Sequence, residues 1–136
     1  MTVPPEPQPD GAIEQEVAAL ADRLLDAARR GDAALLAAYV DAGAPVDLAA
    51  AAGDTLLMLA AYHGHVEAVD ALLARGADPD RANAKGQGPL AGAVFKGYAD
   101  VVRSLVAAGA DPDAGQPSAR AAAAMFDRQD LLALLG

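Results

Sequence analysis

Two histidines, His63 and His65, flank Gly64. Imidazoles so placed could serve as metal ligands or as a general base. A metal needs further His, Cys or carboxylate ligands converging with them, and the chain has no cysteine. The plainer reading makes His65 a structural residue of a turn and leaves His63 exposed. The serines are Ser104 and Ser118, and neither sits in a nucleophile motif. Aspartates pair as Asp78 with Asp80 and as Asp111 with Asp113. They recur at one loop position, which favours turn and capping roles over general acid–base catalysis. The segment Gly86-Gln87-Gly88-Pro89 has neither the length nor the lysine of a phosphate-binding loop. No catalytic residue, metal ligand or cofactor is predicted, and the chain is not expected to be an enzyme. A metal-binding or small-molecule groove near His63 is the alternative to the reading developed below.

The elements that must carry these residues follow from composition and period. The chain of 136 residues suits one domain and is 54% hydrophobic, so it is not a disordered chain. Much of the apolar content is alanine, the best helix former, so a largely helical protein is expected. The net charge of −9 argues against non-specific nucleic-acid binding and against an anionic membrane surface. No apolar run is long enough to span a membrane, and the first residues lack the pattern of a signal peptide. A cytoplasmic location is the default expectation. Residues 1–11, with four prolines, read as an extended tail. Alanine richness and an excess of arginine over lysine fit a GC-rich bacterial gene.

Several residue series share one period. Glycines fall at 31, 64 and 97, and again at 43, 76 and 109, in each case 33 apart. Asp47, Asp80 and Asp113 form a third series, and Ala44, Ala77 and Ala110 a fourth. A shared period of this size marks a repeat architecture. Within one unit, Thr55 can cap a short apolar run, Leu57 to Ala61, that ends before Gly64. A second run from Val66 to Ala74 has helical spacing, and Gly76 can close it in a left-handed conformation. The segment Asp78-Pro79-Asp80 cannot continue a helix. The next unit repeats the plan, with Pro89 at a helix start, Ala91 to Phe95 as inner helix and Asp100 to Ala107 as outer helix.

These units resemble the ankyrin repeat family. The second unit reads Gly53-Asp54-Thr55-Leu56-Leu57 through Ala60-Ala61, then Gly64-His65, Leu72-Leu73 and Gly76-Ala77-Asp78-Pro79-Asp80. The third has Gly86-Gln87-Gly88-Pro89-Leu90, then Gly97 and Gly109-Ala110-Asp111-Pro112-Asp113. The resemblance implies an all-α repeat fold, an ankyrin solenoid of helix-turn-helix units with short hairpin loops. It divides residues 12–136 into an N-terminal capping repeat (12–47), repeats at 48–80 and 81–113, and a truncated C-terminal capping repeat (114–136). Departures are Met58 and Ala91 where the family has histidine, Gly88 at a capping position, and Gly92 inside a helix at a cost of about 1 kcal/mol. The third unit should therefore be the softer of the central pair. In the first unit, Ile13, Val17, Leu20, Leu24 and Ala28 mark one face of a long amphipathic helix. The last unit is expected to be short in its loop and in its inter-helix turn, with Phe126 aligned to Phe95 after a two-residue deletion.

The resemblance also implies a partner-binding concave face made of hairpin tips and inner-helix ends. Its positions map to Arg29 and Arg30 in the first unit; Ala51, Ala52, Asp54, Tyr62 and His63 in the second; Ala84, Lys85, Gln87, Phe95 and Lys96 in the third; and Phe126 and Asp127 in the last. Tyr62, Phe95 and Phe126 would form one column of rings roughly 10 Å apart, the diameter of stacked helices. Arg30, His63 and Lys96 would run beside it. Such a strip would bind an acidic, partly apolar protein surface. The competing reading packs the rings between inner helices and leaves the cations as solubilising groups. A protein-binding accessory or regulatory protein, monomeric as a capped solenoid, is the expected function.

Overall fold

The computed structural model describes the backbone over residues 9–136 and side chains from residue 14 onward. Among the described residues eight helices follow one another: α1 Pro9–Arg30, α2 Ala33–Asp41, α3 Leu56–Tyr62, α4 Val66–Ala74, α5 Pro89–Lys96, α6 Ala99–Ala107, α7 Ala119–Met125 and α8 Gln129–Leu135. Among the described residues there is no strand, only one isolated bridge between Ala49 and Thr55. The odd-numbered helices stack into an inner layer and the even-numbered ones into an outer layer, each helix packing on its counterpart in the next unit. Of the residues read as a tail, 1–8 lie outside the described residues. Pro9, Asp10 and Gly11 instead open α1. Proline suits the first turn of a helix, where its missing N–H has no partner to lose.

Alanine makes the close stacking feasible. Ala27, Ala28, Ala60, Ala61, Ala68, Ala93 and Ala123 are fully buried, so helix backbones approach without large side chains between them. Leu36, Leu56, Leu57, Leu72, Leu105 and Leu131 fill the space between layers. Each such leucine contributes about 2 kcal/mol by leaving water. Thr55 is buried, and its Oγ1 accepts from the Met58 amide at 3.1 Å, the cap expected for α3. Gly88 supplies no such cap to α5, whereas Ser118 supplies one to α7 through the Ala121 amide at 3.1 Å.

Turn register is the same in all four units. The amide after each turn residue reaches back five positions: Asp32 to the Ala27 carbonyl, His65 to Ala60, Tyr98 to Ala93 and Arg128 to Ala123, at 2.8–3.0 Å. This closes the helix ends by the usual six-to-one bond. The residue before each donor is left-handed: Gly31, Gly64 and Gly97 at φ 76–80°, and Asp127 at φ 52°. Asp127 therefore stands in for the turn glycine, three residues short of the 33-residue period. The inter-helix turn of the last unit is not shortened, contrary to the sequence reading. The whole deletion lies between Asp113 and Ser118, because the capped start of α7 shows the same three-residue offset from α5.

Each unit seats a side chain on the turn glycine of the unit before. The His65 ring covers Gly31, the Tyr98 ring covers Gly64, and the Arg128 guanidinium covers Gly97, so closely that a Cβ would come within 2.5–2.9 Å of them. His65 Nε2–H also donates to the Arg29 carbonyl at 2.7 Å. On the loop side the aspartates tie neighbouring units. Asp47 accepts from the Asp78 amide at 3.0 Å, and Asp80 from the Asp111 amide at 2.7 Å. Asp78 and Asp111 each accept from the amide two residues on, closing their own turns.

Candidate functional site

The left-handed turn residue fixes which side chains share a column. Counting back from it, one column holds Arg29, Tyr62, Phe95 and Met125. The next holds Arg30, His63, Lys96 and Phe126. Phe126 is thus not the counterpart of Phe95, as the sequence reading had it. Met125 is, because the deletion is of three residues and not two. The rings are consequently not evenly spaced at about a helix diameter. Phe126 reaches across from its own column and meets Phe95 edge to face, with centroids 5.3 Å apart.

These side chains stay open to solvent. Tyr62 is 37% exposed, Phe95 56%, Phe126 48% and Met125 68%. They stand at helix ends, where the chain turns and no neighbouring helix covers them. Together with Met58, Gln87 and Pro117 they wall a groove of about 280 Å³. Its floor is Ala91 and Gly92 on α5. Gly92 keeps the floor low: a Cβ there would meet the Met58 methyl at 3.3 Å and the Tyr62 ring at 3.5 Å. A second groove of about 370 Å³ runs along the hairpin tips past Ala52, Asp54, Asn83 and Lys85. Met58, Tyr62 and Gln87 belong to both grooves.

Cations edge the first groove. Lys96 Nζ lies 5.0 Å from the Tyr62 ring centroid, over its face. His63 stands edge-on to Tyr62 at 5.7 Å and stacks on His65 at 6.4 Å. Partial burial, followed by the nearby charges of His65, Lys96 and Arg29, holds the His63 imidazole below its ordinary value of 6.5. These surroundings favour its neutral form. Lys96 therefore supplies the standing charge at this edge. Most acids lie elsewhere, on the outer helices (Glu67, Asp70, Asp100, Asp130) and in the loops (Asp78, Asp80, Asp111, Asp113).

The residues read as a contact surface do not form one cluster. Tyr62, His63, Phe95, Lys96 and Phe126 are brought together. Gln87 joins the groove wall, but its Oε1 accepts from Asn83 Nδ2 at 2.9 Å. Asp54 accepts from that same amide at 2.8 Å. Both are committed to holding the hairpin, and Lys85 stands exposed at its tip. Arg29 and Arg30 lie one unit away and line neither groove. Arg30 pairs with Asp26 at 2.7 Å, both being largely exposed. Three residues escaped the sequence reading. Met58 is the visible departure from the family histidine and forms the groove's inner wall. Met125 was hidden by the misplaced deletion. Asn83 organises the hairpin: its Oδ1 accepts from the amides of Lys85 and Gln87, a role foretold by an asparagine three residues before the tip glycine.

Among the described residues no group of three His, Cys, Asp or Glu is placed to hold a metal. No described helix is long and apolar enough to cross a membrane. A family model described as ankyrin repeats, in three copies, matches residues 24–116. No curated protein matches the chain.

Proposed function

We propose, from the premise that this chain belongs to the ankyrin-repeat family, that it captures a partner protein through the groove between α3, α5 and α7. Ankyrin repeats generally act as protein–protein interaction modules and are typically non-catalytic. The finer reading is that the bound surface is acidic and partly apolar, and that the protein serves as an accessory or regulatory component. One observation carries it: four large apolar side chains are left exposed side by side, with a lysine against them, on a chain whose net charge is −9. Exposed apolar clusters of this kind mark contact sites. Aromatic and methionine side chains are the types enriched at interface centres. Methionine adds a surface that can re-pack around its guest.

The test is affinity capture from the native cell, with wild type beside the Tyr62→Ala/Phe95→Ala variant. Both side chains are exposed, so the helical circular dichroism should stay unchanged. One protein retained by wild type and lost by the variant is the expected result. Equal retention by both would remove the groove from consideration.

A further inference from the structure

Three successive units turn basic side chains toward one another on a chain whose net charge is −9. Arg29 lies at the end of α1, His63 follows α3 and Lys96 ends α5, and all three are exposed. Lys96 reaches back over the second unit, its Nζ lying 5.0 Å from the Tyr62 ring centroid. Arg29 comes from the other side. Its carbonyl accepts from His65 Nε2–H at 2.7 Å, and the His65 ring is stacked 6.4 Å from that of His63. The charges that bear on the His63 ring are those of His65, Lys96 and Arg29, and each is basic. Neither Arg29 nor Lys96 forms an ion pair among the described residues, whereas Arg30, Arg75, Arg120 and Arg128 each hold an aspartate.

We propose that Arg29, His63 and Lys96 form a seat for a phosphate monoester carried on a side chain of the partner, beside the apolar groove. The inference rests on the reading that this groove captures a partner protein. Charge selects the ligand. Arg29 and Lys96 bring one positive charge each, and a phosphorylated side chain brings about 1.5 to 2 negative charges at pH 7. A lone carboxylate would leave one of the two cations unmatched.

The donors agree with the charge. A guanidinium presents a planar fork that meets two phosphate oxygens at once, and an ammonium acts on the same group as a point charge. An imidazole N–H of His63, between them, serves the remaining oxygen. Tyr62 and Phe95 stand exposed next to these groups and receive the apolar part of the same segment. A seated dianion favours the charged form of His63, the reverse of its surroundings in the free protein, so the imidazole reports whether the seat is filled.

The test is titration of the full chain with phenyl phosphate at low salt, followed through the imidazole proton resonances. His63→Gln identifies the His63 resonance by its loss. In wild type that resonance should move as the probe binds, and its pH titration should shift upward at saturation. Arg29→Gln and Lys96→Gln should each weaken binding by about fivefold, the loss of one exposed charge pair. Arg103→Gln, exposed on α6 of the outer layer, should leave binding unchanged. Benzoate, with the same ring and a single charge, should bind about fivefold more weakly. A His63 resonance that does not move overturns the proposal. So does equal binding of benzoate, or a loss in Arg103→Gln as large as in Arg29→Gln and Lys96→Gln. Inorganic phosphate bound as tightly as phenyl phosphate would make this a site for the free anion and would overturn the partner-borne ligand. The probe needs no partner, so the seat and the proposed capture can fail independently.

Discussion

Asp127 adopts φ 52°, where the other three units place glycine. An L-residue there crowds its Cβ against the following carbonyl, at about 1 kcal/mol or more. Its carboxylate recovers little, accepting only from the Gln129 side chain at 3.3 Å in an exposed position. Asp127→Gly should relieve the strain, less the greater freedom that glycine has in the unfolded chain. A net stabilisation of about 0.5 kcal/mol is expected, read as a higher urea midpoint with unchanged slope. A lower midpoint would show that the aspartate is favoured at this turn. The same residue explains why one step of the sequence reading failed. With no glycine to mark the turn, Phe126 was matched to Phe95 by residue type. The backbone matches Met125 to it instead.

At the level of the element, α5 contains a compromise. Gly92 lies in its interior, where alanine would add about 1 kcal/mol of helix stability. An added methyl would press on the Met58 methyl, a flexible end that can yield a few tenths of an ångström, and would raise the groove floor. Gly92→Ala should therefore move two measurements in opposite directions. The denaturation midpoint should rise, and retention of the partner should fall. If stability and retention rise together, Gly92 is not keeping the groove open. The elements themselves were legible in the sequence. The period of 33 set the units, Thr55 and Pro89 marked helix starts, and α4 runs from Val66 to Ala74 as its spacing indicated. The site was only half legible. Its aromatic positions could be transferred from one unit to the next, because the backbone repeats. The engagement of Asp54 and Gln87 by Asn83 could not, because it depends on contacts across a hairpin whose partners differ from unit to unit. Nor does the apolar stripe of α1 disclose from spacing alone that Val17 is exposed while Leu24 and Ala28 are buried.

Across the whole molecule, stability is a chain of neighbour contacts. Among the described residues, the main helix contacts run within a unit or between adjacent units, as expected of a solenoid. Leu131 of α8 is fully buried in the last such junction. Leu131→Ala should cost about 2–5 kcal/mol, enough to release the end of the stack without melting its middle. Amide hydrogen exchange should then accelerate in α7 and α8 while α3 and α4 keep their protection. Uniform acceleration through all eight helices would mean that the stack behaves as one cooperative block. The rings and guanidinium that sit on successive turn glycines bear on the ancestry of such a chain. Each of these seats needs only the glycine of whichever unit comes before. Excising or copying one 33-residue stretch by unequal crossing-over would leave each of these turn seats with both of its halves. This part of the interface therefore survives a change in the number of units made in a single step.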